Sequence, residues 1–492
     1  MKLSLATAAL LAVSPLAEAT RPKPPVSAKK LQKLITEKGL MKNLEKLNEI
    51  AYAHGGNRAF GLPGYAASVD FIYKEISKLK GFKTWKQDFP ANFTQTLAAE
   101  VTVDDETFRT VALTYTPSTS EEGVTAELVH APEGEDACDV TNYEGLDVKG
   151  KIVLVERGLC PDQTTFAGKV KPAAAAGAAV VVIYNSDEAK LTAGTLSAIS
   201  PDYVPTALID QEPGLALKAK LEAGEKIEAF AKIIQTIETR ITQNVFAETK
   251  AGDGENVVML GAHLDSVQAG PGINDDGSGT TLILETAKAL QHFSTNLKVR
   301  FGWWGAEENG LVGSRYYVNN MKKDEVDNLL AYLNFDMVSR GFFGVFDGTG
   351  EQAGPGGPPG SDVIEDLFRE YFKAKEIEVT PVGLTGGTDY VAFREVIKKP
   401  VGGLFTGTGL EQDACYHQAC DNITNPVPET LHINAHAAAH VLSKLAIDGV
   451  ELLPKTPSNA TVGSIKRVRD EASLHFHEVN VVEGKPCDHD IV

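Results

Sequence analysis

Apolar positions in the second half of the chain follow two spacings, one typical of strands and one typical of helices. Short runs in which nearly every residue is apolar occur at 257–264, 299–305 and 330–336, and they predict buried strands. Segments 279–292 and 430–447 carry apolar residues three or four positions apart, which predicts helices with the inward-facing residues Ile283, Ala287, Leu290, Ala438, Leu442 and Leu445. This alternation indicates an α/β fold, in which a mixed, mostly parallel sheet has helices on both faces.

The first half of the chain has a different pattern. Between residues 21 and 46, apolar residues have helical spacing in a lysine-rich stretch, which fits either a leader or a first surface helix: Leu31, Ile35, Leu40 and Leu44. A helix is predicted over 65–79. Residues 110–236 are rich in short β segments with turns, so we divide the remaining chain into 20–109, 237–450 and a C-terminal tail at 451–492.

The N-terminus has the pattern of a secretory signal peptide. Lys2 precedes an apolar run over 3–16, and small residues at 17 and 19 provide a cleavage site. We therefore expect 1–19 to be removed and the mature protein to be secreted, with delivery to a vacuole as the alternative. No later stretch of the sequence reaches the ~20 apolar residues of a transmembrane helix, so we expect no membrane partner. N-glycosylation acceptors at Asn92, Asn422 and Asn459 agree with this route.

Composition excludes one class of partner and one class of scaffold. A formal net charge of −19 over 492 residues argues against nucleic acid, because phosphate-binding surfaces need an excess of Lys and Arg. Five cysteines are too few for a disulfide-built scaffold, so a packed core must hold the fold. Cys415 is close enough to Cys420 to bridge within one loop, and Cys138 to Cys160 across a longer one, which leaves Cys487 over. Whether these pairs form depends on geometry that sequence does not supply.

Candidate metal ligands and candidate catalytic residues stand where the predicted strands meet their loops. In chain order they are His263 and Asp265, Asp275, Glu307 and Glu308, Asp336, and finally Tyr416 and His417. Imidazole together with carboxylate suits Zn²⁺, and ligands of such sheets bind beyond the carboxyl ends of the strands. Two histidines with three of these carboxylates exceed what one catalytic zinc needs. If Asp275 bridges two ions, each ion has three protein ligands. Ions about 3.5–4 Å apart can share one water, lower its pKa and polarise the scissile carbonyl.

Two positions beside the ligands invite separate roles. Adjacent side chains at a strand end point in different directions, so we assign Glu308 as a ligand and Glu307 as the general base that passes a proton to the leaving amine. Asp265 lies on the same face of the strand as His263. We expect Asp265 to accept the second N–H of that imidazole and fix its tautomer.

Several motifs resemble those of known families. The segments HLDS, INDDGSG, WGAEENGLVGS, NFDM and CYHQACD are similar to those of the M28 family of co-catalytic zinc aminopeptidases. GKIVLVERGLC followed by AAAAGAAVVVIYN resembles the protease-associated domain. The two together point to the fungal leucine aminopeptidase and aminopeptidase Y branch. The resemblance implies a zinc-exopeptidase fold with a small β-rich protease-associated domain inserted at 110–236.

The resemblance also implies roles for individual residues. One zinc is bound by His263, Asp336 and the bridging Asp275, and the second is bound by Glu308, His417 and the same bridge. Tyr416 donates a hydrogen bond to the developing oxyanion. The resemblance further implies a cis peptide bond between Asp275 and Asp276.

One position departs from the family pattern. Some bacterial relatives carry an arginine before the segment that corresponds to Thr388-Asp389, where this chain has Gly387. Recognition of a substrate α-ammonium group then rests on Glu307, Asp336 and Asp389.

Together these features predict a metallo-aminopeptidase that hydrolyses the first peptide bond of peptides with a free N-terminus. Carboxylates beside the metals suit an α-ammonium group, whereas a carboxypeptidase needs Arg or Lys. Preference for leucine or other hydrophobic residues is implied by the resemblance alone. A glutamate-carboxypeptidase-like hydrolase and an inactive receptor-like relative stay as alternatives, although such receptors lack ligands that this chain retains. We expect a monomer whose partners are peptide substrates.

Overall fold

The structure is a computed structural model that describes residues 22–161, 164–188, 190–196, 199–455 and 481–483. The expected signal peptide, Asn459 and Cys487 lie outside these residues. The helices are α1 (Ala28–Gln32), α2 (Glu37–Ala53), α3 (Pro63–Ile76), α4 (Ala167–Ala175), α5 (Gln211–Glu222), α6 (Gly277–Leu290), α7 (Val312–Asn320), α8 (Lys323–Asn328), α9 (Ser361–Lys373), α10 (Gly409–Gln412) and α11 (Pro428–Leu452).

The strands follow the same chain order, and short 3-10 helices (Gly134–Cys138, Val140–Tyr143) and a π-helix (Ala392–Val396) occur between them. They are β1 (Phe82–Val103), β2 (Glu106–Phe108), β3 (Thr110–Ala112), β4 (Val124–His130), β5 (Ile152–Glu156), β6 (Val180–Tyr184), β7 (Lys190–Ala193), β8 (Thr206–Ile209), β9 (Ile227–Thr249), β10 (Asp253–His263), β11 (Leu297–Trp304), β12 (Leu329–Phe335), β13 (Gly344–Phe346), β14 (Thr380–Val382), β15 (Val401–Phe405) and β16 (Val481–Glu483).

In the described residues, one 14-stranded sheet runs through both parts of the chain. Its main path is β14-β13-β15-β12-β10-β11-β9-β4-β5-β6-β8-β3. Strands β11, β10, β12 and β15 are parallel neighbours, as are β4, β5, β6 and β8, whereas β9 is antiparallel to β1, β4 and β11. The predicted α/β class with a mixed, mostly parallel sheet is confirmed.

Apolar residues of the central strand β10 pack on both faces of the sheet. Val258 and Leu260 lie in one core cluster with residues of α2, α3, α6, α9 and α11. Val257 and Met259 lie in a second cluster with residues of α7 and α8. Because successive side chains of a strand point to opposite faces, helices cover both sides, which explains why β10 reads as a continuous apolar run.

The N-terminal segment is part of the main core. Leu31, Leu40 and Leu44 are fully buried there, and Thr36 caps α2 by accepting a hydrogen bond from the Gly39 N–H. The segment lies against α11, where the imidazoles of His432 and His436 contact the Ile35 carbonyl oxygen, 3.3 Å and 3.1 Å away. Of the two readings that the sequence left open, the structure shows a packed first helical region.

A long antiparallel ladder joins the two parts of the chain. β1 and β9 pair from Phe82 with Thr249 to Val103 with Ala229. One end of the ladder packs in the main core and the other in the core of the β-rich part. The boundary expected at 236/237 falls inside β9, so the sheet continues across it.

Both expected disulfides are present in the structure, Cys138–Cys160 and Cys415–Cys420. The expected glycan acceptor Asn92 is exposed, and Asn422 is half-buried. Among the helices of the described ranges, none has the length and apolar character needed to cross a bilayer.

Candidate metal centre

The expected ligands meet at one edge of the sheet. β10 ends at His263, β12 is followed directly by Asp336, and the turn after β11 carries Glu307 and Glu308. His417 lies in the disulfide-closed loop beyond β15. Since β10, β11, β12 and β15 are parallel, their carboxyl ends share this edge and bring the side chains together.

The carboxylate of Asp275 lies between the two imidazoles. Its Oδ1 atom is 3.0 Å from Nε2 of His263, and its Oδ2 atom is 3.0 Å from Nε2 of His417. The His263 nitrogen is also 3.4 Å from Oδ1 of Asp336, and the His417 nitrogen is 3.0 Å from Oε2 of Glu308. Each imidazole therefore faces the shared Asp275 carboxylate and one further carboxylate.

Two oxygen atoms of this cluster accept no hydrogen bond from any described residue, although they are buried: Oε1 of Glu308 and Oδ1 of Asp336. A buried carboxylate oxygen without a partner is costly, and a cation is one way to satisfy it. Two imidazoles with three carboxylates are also a donor set that zinc prefers. The residues present thus fit the two-ion site that the sequence predicts.

Electrostatics of the cluster favour positive charge at its centre. Burial lowers the pKa of His263, but the surrounding carboxylates, Asp336 and Glu307 foremost, together raise it well above the usual range. Glu308 and Asp275 have the same net effect on the pKa of His417. Protons and metal ions compete for the same imidazole nitrogens, so the field that binds protons here would also bind zinc.

Asp276 is a further carboxylate near the ligands, close to His263 and Asp336. Its oxygens accept backbone N–H groups from His263, Gly279 and Met337, at 2.7–3.2 Å, and the Gly279 contact caps α6. Because these oxygens are already engaged, we assign Asp276 to positioning the two strand ends. This cap explains why α6 begins two residues before the expected start. The peptide bond between Asp275 and Asp276 is cis, as the resemblance implies.

Asp265 contacts the candidate general base through the backbone. Its carboxylate accepts the N–H of Glu307 at 3.1 Å and the N–H of Glu308 at 3.3 Å. Nδ1 of His263 is 3.2 Å from the backbone carbonyl of Asp265 and 3.7 Å from its carboxylate. The nearer acceptor for the imidazole is therefore the main chain, not the side chain that the sequence suggested.

Asp389 is close enough to His263 and Asp336 to interact with them electrostatically. It is 1% exposed, and neither of its carboxylate oxygens has a hydrogen-bond partner of good geometry among the described residues. Burial raises its pKa to about 7, and the nearby carboxylates of Asp336 and Asp265 add to the rise. The arrangement suits a site that receives a positively charged group.

Most of the chain is similar in sequence to proteins of known family. The sequence profile of Peptidase family M28 matches residues 244–442, and that of the PA domain matches 124–217. Leucine aminopeptidase 2 of Trichophyton rubrum is 39% identical over 88% of this chain and 89% of its own. Probable leucine aminopeptidase 2 of Aspergillus fumigatus is 37% identical over 96% and 95%. The chain belongs to peptidase family M28.

Solved structures agree with that placement of the M28 chain. The aminopeptidase from Aneurinibacillus sp. strain AM-1 has a TM-score of 0.73 at 27% identity, covering 86% of this chain and 96% of its own. A zinc aminopeptidase from Bacillus subtilis has a TM-score of 0.64 at 25% identity, covering 88% and 98%. This M28 peptidase is a metallo-aminopeptidase with a protease-associated domain, as the resemblance implied, and its zinc-binding relative supports zinc dependence.

Arg58 is a buried cation of this M28 peptidase that sequence reasoning missed. It is fully buried, and its guanidinium donates to the backbone carbonyls of Leu264, Pro271 and Gly272. Those carbonyls belong to the loop that leads from His263, at the end of β10, towards Asp275. Arg58 thus supports the loop between two site residues, and the only sequence signal was a charged residue in the glycine-rich stretch before α3.

Tyr416 lies next to a candidate ligand of the M28 centre. Its ring stacks on the His417 ring, with 3.8 Å between the centroids. The Tyr416 side chain is half-buried.

Proposed function

We propose that this M28 peptidase is a secreted two-zinc aminopeptidase that removes single residues from free N-termini of peptides, with a preference for leucine or other hydrophobic residues. The observation that carries the proposal is the Asp275 carboxylate, whose two oxygens each contact a different histidine. A carboxylate in that position can serve two metal ions at once.

The zinc ions would be held by two sets of residues that share Asp275. His263 and Asp336 complete the first set, and His417 and Glu308 complete the second. In such two-metal sites the ions supply polarisation of the scissile carbonyl and a more acidic water molecule.

Glu307 is the proposed general base. Burial raises its pKa, and Asp389 and Asp336 raise it further, so its carboxylate holds a proton more readily than an exposed glutamate. It can take a proton from the attacking water and deliver it to the nitrogen of the departing amine. Its backbone N–H is fixed by Asp265, which aims the side chain from the turn after β11. Tyr416 is proposed to donate its hydroxyl hydrogen to the developing oxyanion.

We assign recognition of the substrate N-terminus to the negatively charged carboxylates of the site. Glu307 and Asp389 are buried, as is the proposed zinc ligand Asp336. An α-ammonium group would neutralise part of this negative charge, whereas a substrate carboxylate would be repelled. This charge pattern supports an aminopeptidase over the carboxypeptidase alternative.

A matched pair of substrates tests the proposal. Leucine p-nitroanilide has a free amine, and its N-acetyl derivative differs only in the blocked amine, so we expect release of p-nitroaniline from the first alone. Zinc analysis of the active protein should give two ions per chain, and a chelator should abolish hydrolysis. Cleavage of the acetylated compound, or full activity with a single zinc, would contradict the proposal.

Side-chain preference and export need separate measurements. A panel of amino-acid p-nitroanilides should give its highest kcat/KM for leucine or another large apolar residue. Protein recovered from culture medium should begin at Thr20, and retention in a vacuole would instead favour the alternative destination. Equal mass before and after treatment with an N-glycosidase would exclude use of the expected acceptors.

A further inference from the structure

Two buried aspartates that are not proposed ligands lie next to the candidate metal centre. Asp413 precedes the loop closed by Cys415–Cys420, and Asp421 follows it. Their exposed fractions are 0% and 1%. The same loop carries Tyr416 and His417, so the pair flanks a segment that contributes to the site.

Asp421 binds three consecutive backbone N–H groups of the segment that ends in the bridging residue. Its carboxylate accepts the N–H of Asp275 at 3.0 Å and the N–H of Asn274 at 2.8 Å. Its backbone carbonyl accepts the N–H of Ile273 at 3.0 Å. The main chain of residues 273–275 is therefore bound by Asp421, which directly follows the loop that carries His417.

Asp413 and Asn425 complete the connection. The Asn425 side-chain amide donates to Asp413, at 3.0 Å and 3.2 Å, and to Asp421 at 2.9 Å. Asp413 also accepts the Asn274 side-chain amide at 2.6 Å and the Cys415 N–H at 2.9 Å.

A third ligand-bearing segment joins the same network. Oδ1 of Asn274 accepts the hydroxyl hydrogen of Ser339 at 2.5 Å and the Ser339 N–H at 3.2 Å. Ser339 lies three residues after Asp336. The network therefore connects the backbone segments of three proposed ligands, Asp275, Asp336 and His417.

We propose that Asp421, supported by Asp413, is a positioning residue that sets the zinc affinity of the centre by holding Asp275 against the His417 loop. The inference rests on the proposed two-zinc function. The Asp275 carboxylate can reach both imidazoles only if its backbone and the loop keep their relative positions. Hydrogen bonds that orient metal ligands in this way contribute about 10–100-fold to metal affinity.

The test compares two isosteric substitutions at buried, amide-binding aspartates. Asp421→Asn keeps the volume of the side chain but places an NH₂ group against a backbone N–H. Asp347→Asn is the matched control, because Asp347 is also 0% exposed and accepts the N–H groups of Gly350, Gln352 and Ala353 in a loop without a proposed ligand. Zinc affinity is measured by competition with a chromophoric chelator, and stability by urea unfolding of the metal-free proteins.

We expect both variants to lose comparable stability, while D421N alone loses zinc affinity by about 10–100-fold. Hydrolysis by D421N should recover towards the parent rate as free zinc is raised, whereas D347N, with a similar loss of stability, should need no more zinc than the parent. Unchanged zinc affinity in D421N, or an equal loss in D347N, overturns the inference. A parent protein that binds fewer than two zinc ions would instead overturn the proposed function.

A second variant covers failure of D421N to fold. Asn425→Ala removes the amide that links the two carboxylates and leaves Asp421 in place. It should also weaken zinc binding relative to D347N. Parent-like affinity in N425A, with no folded D421N available, would count against the inference.

Discussion

Glu307 and Glu308 are neighbours in sequence with different environments. Glu308 contacts His417 at 3.0 Å, whereas Glu307 lies in the field of Asp389 and Asp336. We expect Glu307→Gln to keep both zinc ions and to lower kcat by about 10²–10⁴-fold, because an amide cannot accept the proton. Zinc analysis and steady-state kinetics check both points, and Glu308→Gln, which should lose zinc as well, is the control. A parent-like kcat in E307Q would remove Glu307 from the role of base.

Asp265 gives a second prediction for a single residue. Its carboxylate binds the N–H groups of both glutamates, so Asp265→Asn replaces one acceptor with a donor and lets the turn shift. We expect kcat to fall by about 10–100-fold with a smaller change in KM, as for other residues that orient a site. Steady-state kinetics at saturating zinc would show it. If kcat stayed constant while KM rose, Asp265 would serve substrate binding instead.

Residue types at the strand ends were enough to predict the cluster, since few roles suit a buried histidine beside several carboxylates. The residues that orient the ligands were not predictable in the same way. Asp421 binds the Asp275 backbone across 146 positions, and Arg58 binds carbonyls more than 200 positions away. Their partners are main-chain N–H and C=O groups. Because nearly every residue has these groups, the sequence does not indicate which of them a distant side chain binds.

Substitutions in the N-terminal helical region test whether this region is part of the folded core. Leu44 of α2 is fully buried in the main core, whereas Leu34, in the turn before α2, is 44% exposed. Leu44→Ala should lower the free energy of unfolding by about 2–5 kcal/mol, because it leaves a cavity. Leu34→Ala should change it by less than about 0.5 kcal/mol. Urea unfolding of both variants measures the difference, and equal values would indicate that the segment is not part of the folded core.

Element boundaries show where pattern reading works and where it stops. β10, β11 and β12 were expected within a few residues because buried parallel strands are continuous apolar runs. The alternatives for α1 and α2 could not be separated, since the surfaces they cover belong to α6 and α11, which come much later in the chain. The length of β1 and β9 was also missed, because exposed and half-buried residues alternate irregularly along both strands.

The whole molecule should respond to pH through its metal centre. In metal-free protein the carboxylates raise the pKa of His263 and His417 well above 6.5, so these groups stabilise the fold most at low pH. That contribution is lost as pH rises through the raised pKa values, while zinc no longer has to displace the two protons. Apparent zinc affinity should rise by up to about tenfold per pH unit for each proton displaced, and it should level off once the pH exceeds the raised pKa values.

Thermal unfolding from pH 6 to pH 8.5 measures this effect, with the zinc-loaded protein at one fixed free-zinc concentration and the metal-free protein in a chelator. The difference between their midpoints should widen as pH increases. A difference that stays constant or narrows would show that the two imidazoles are not protonated in the metal-free protein.

The ladder of β1 and β9 offers a place at which the protease-associated domain can be removed from the peptidase domain. Since Thr94 and Ile237 face each other across it, a two-residue Asn-Gly turn placed between them would close the stem, keep its register and retain Phe93 in its buried cluster with Phe60 and Ala306. Such a truncated peptidase would lose the protease-associated domain without opening the main core. Comparing it with the parent on long and short peptides would show whether the excised portion limits the length of the peptides that reach the candidate metal centre.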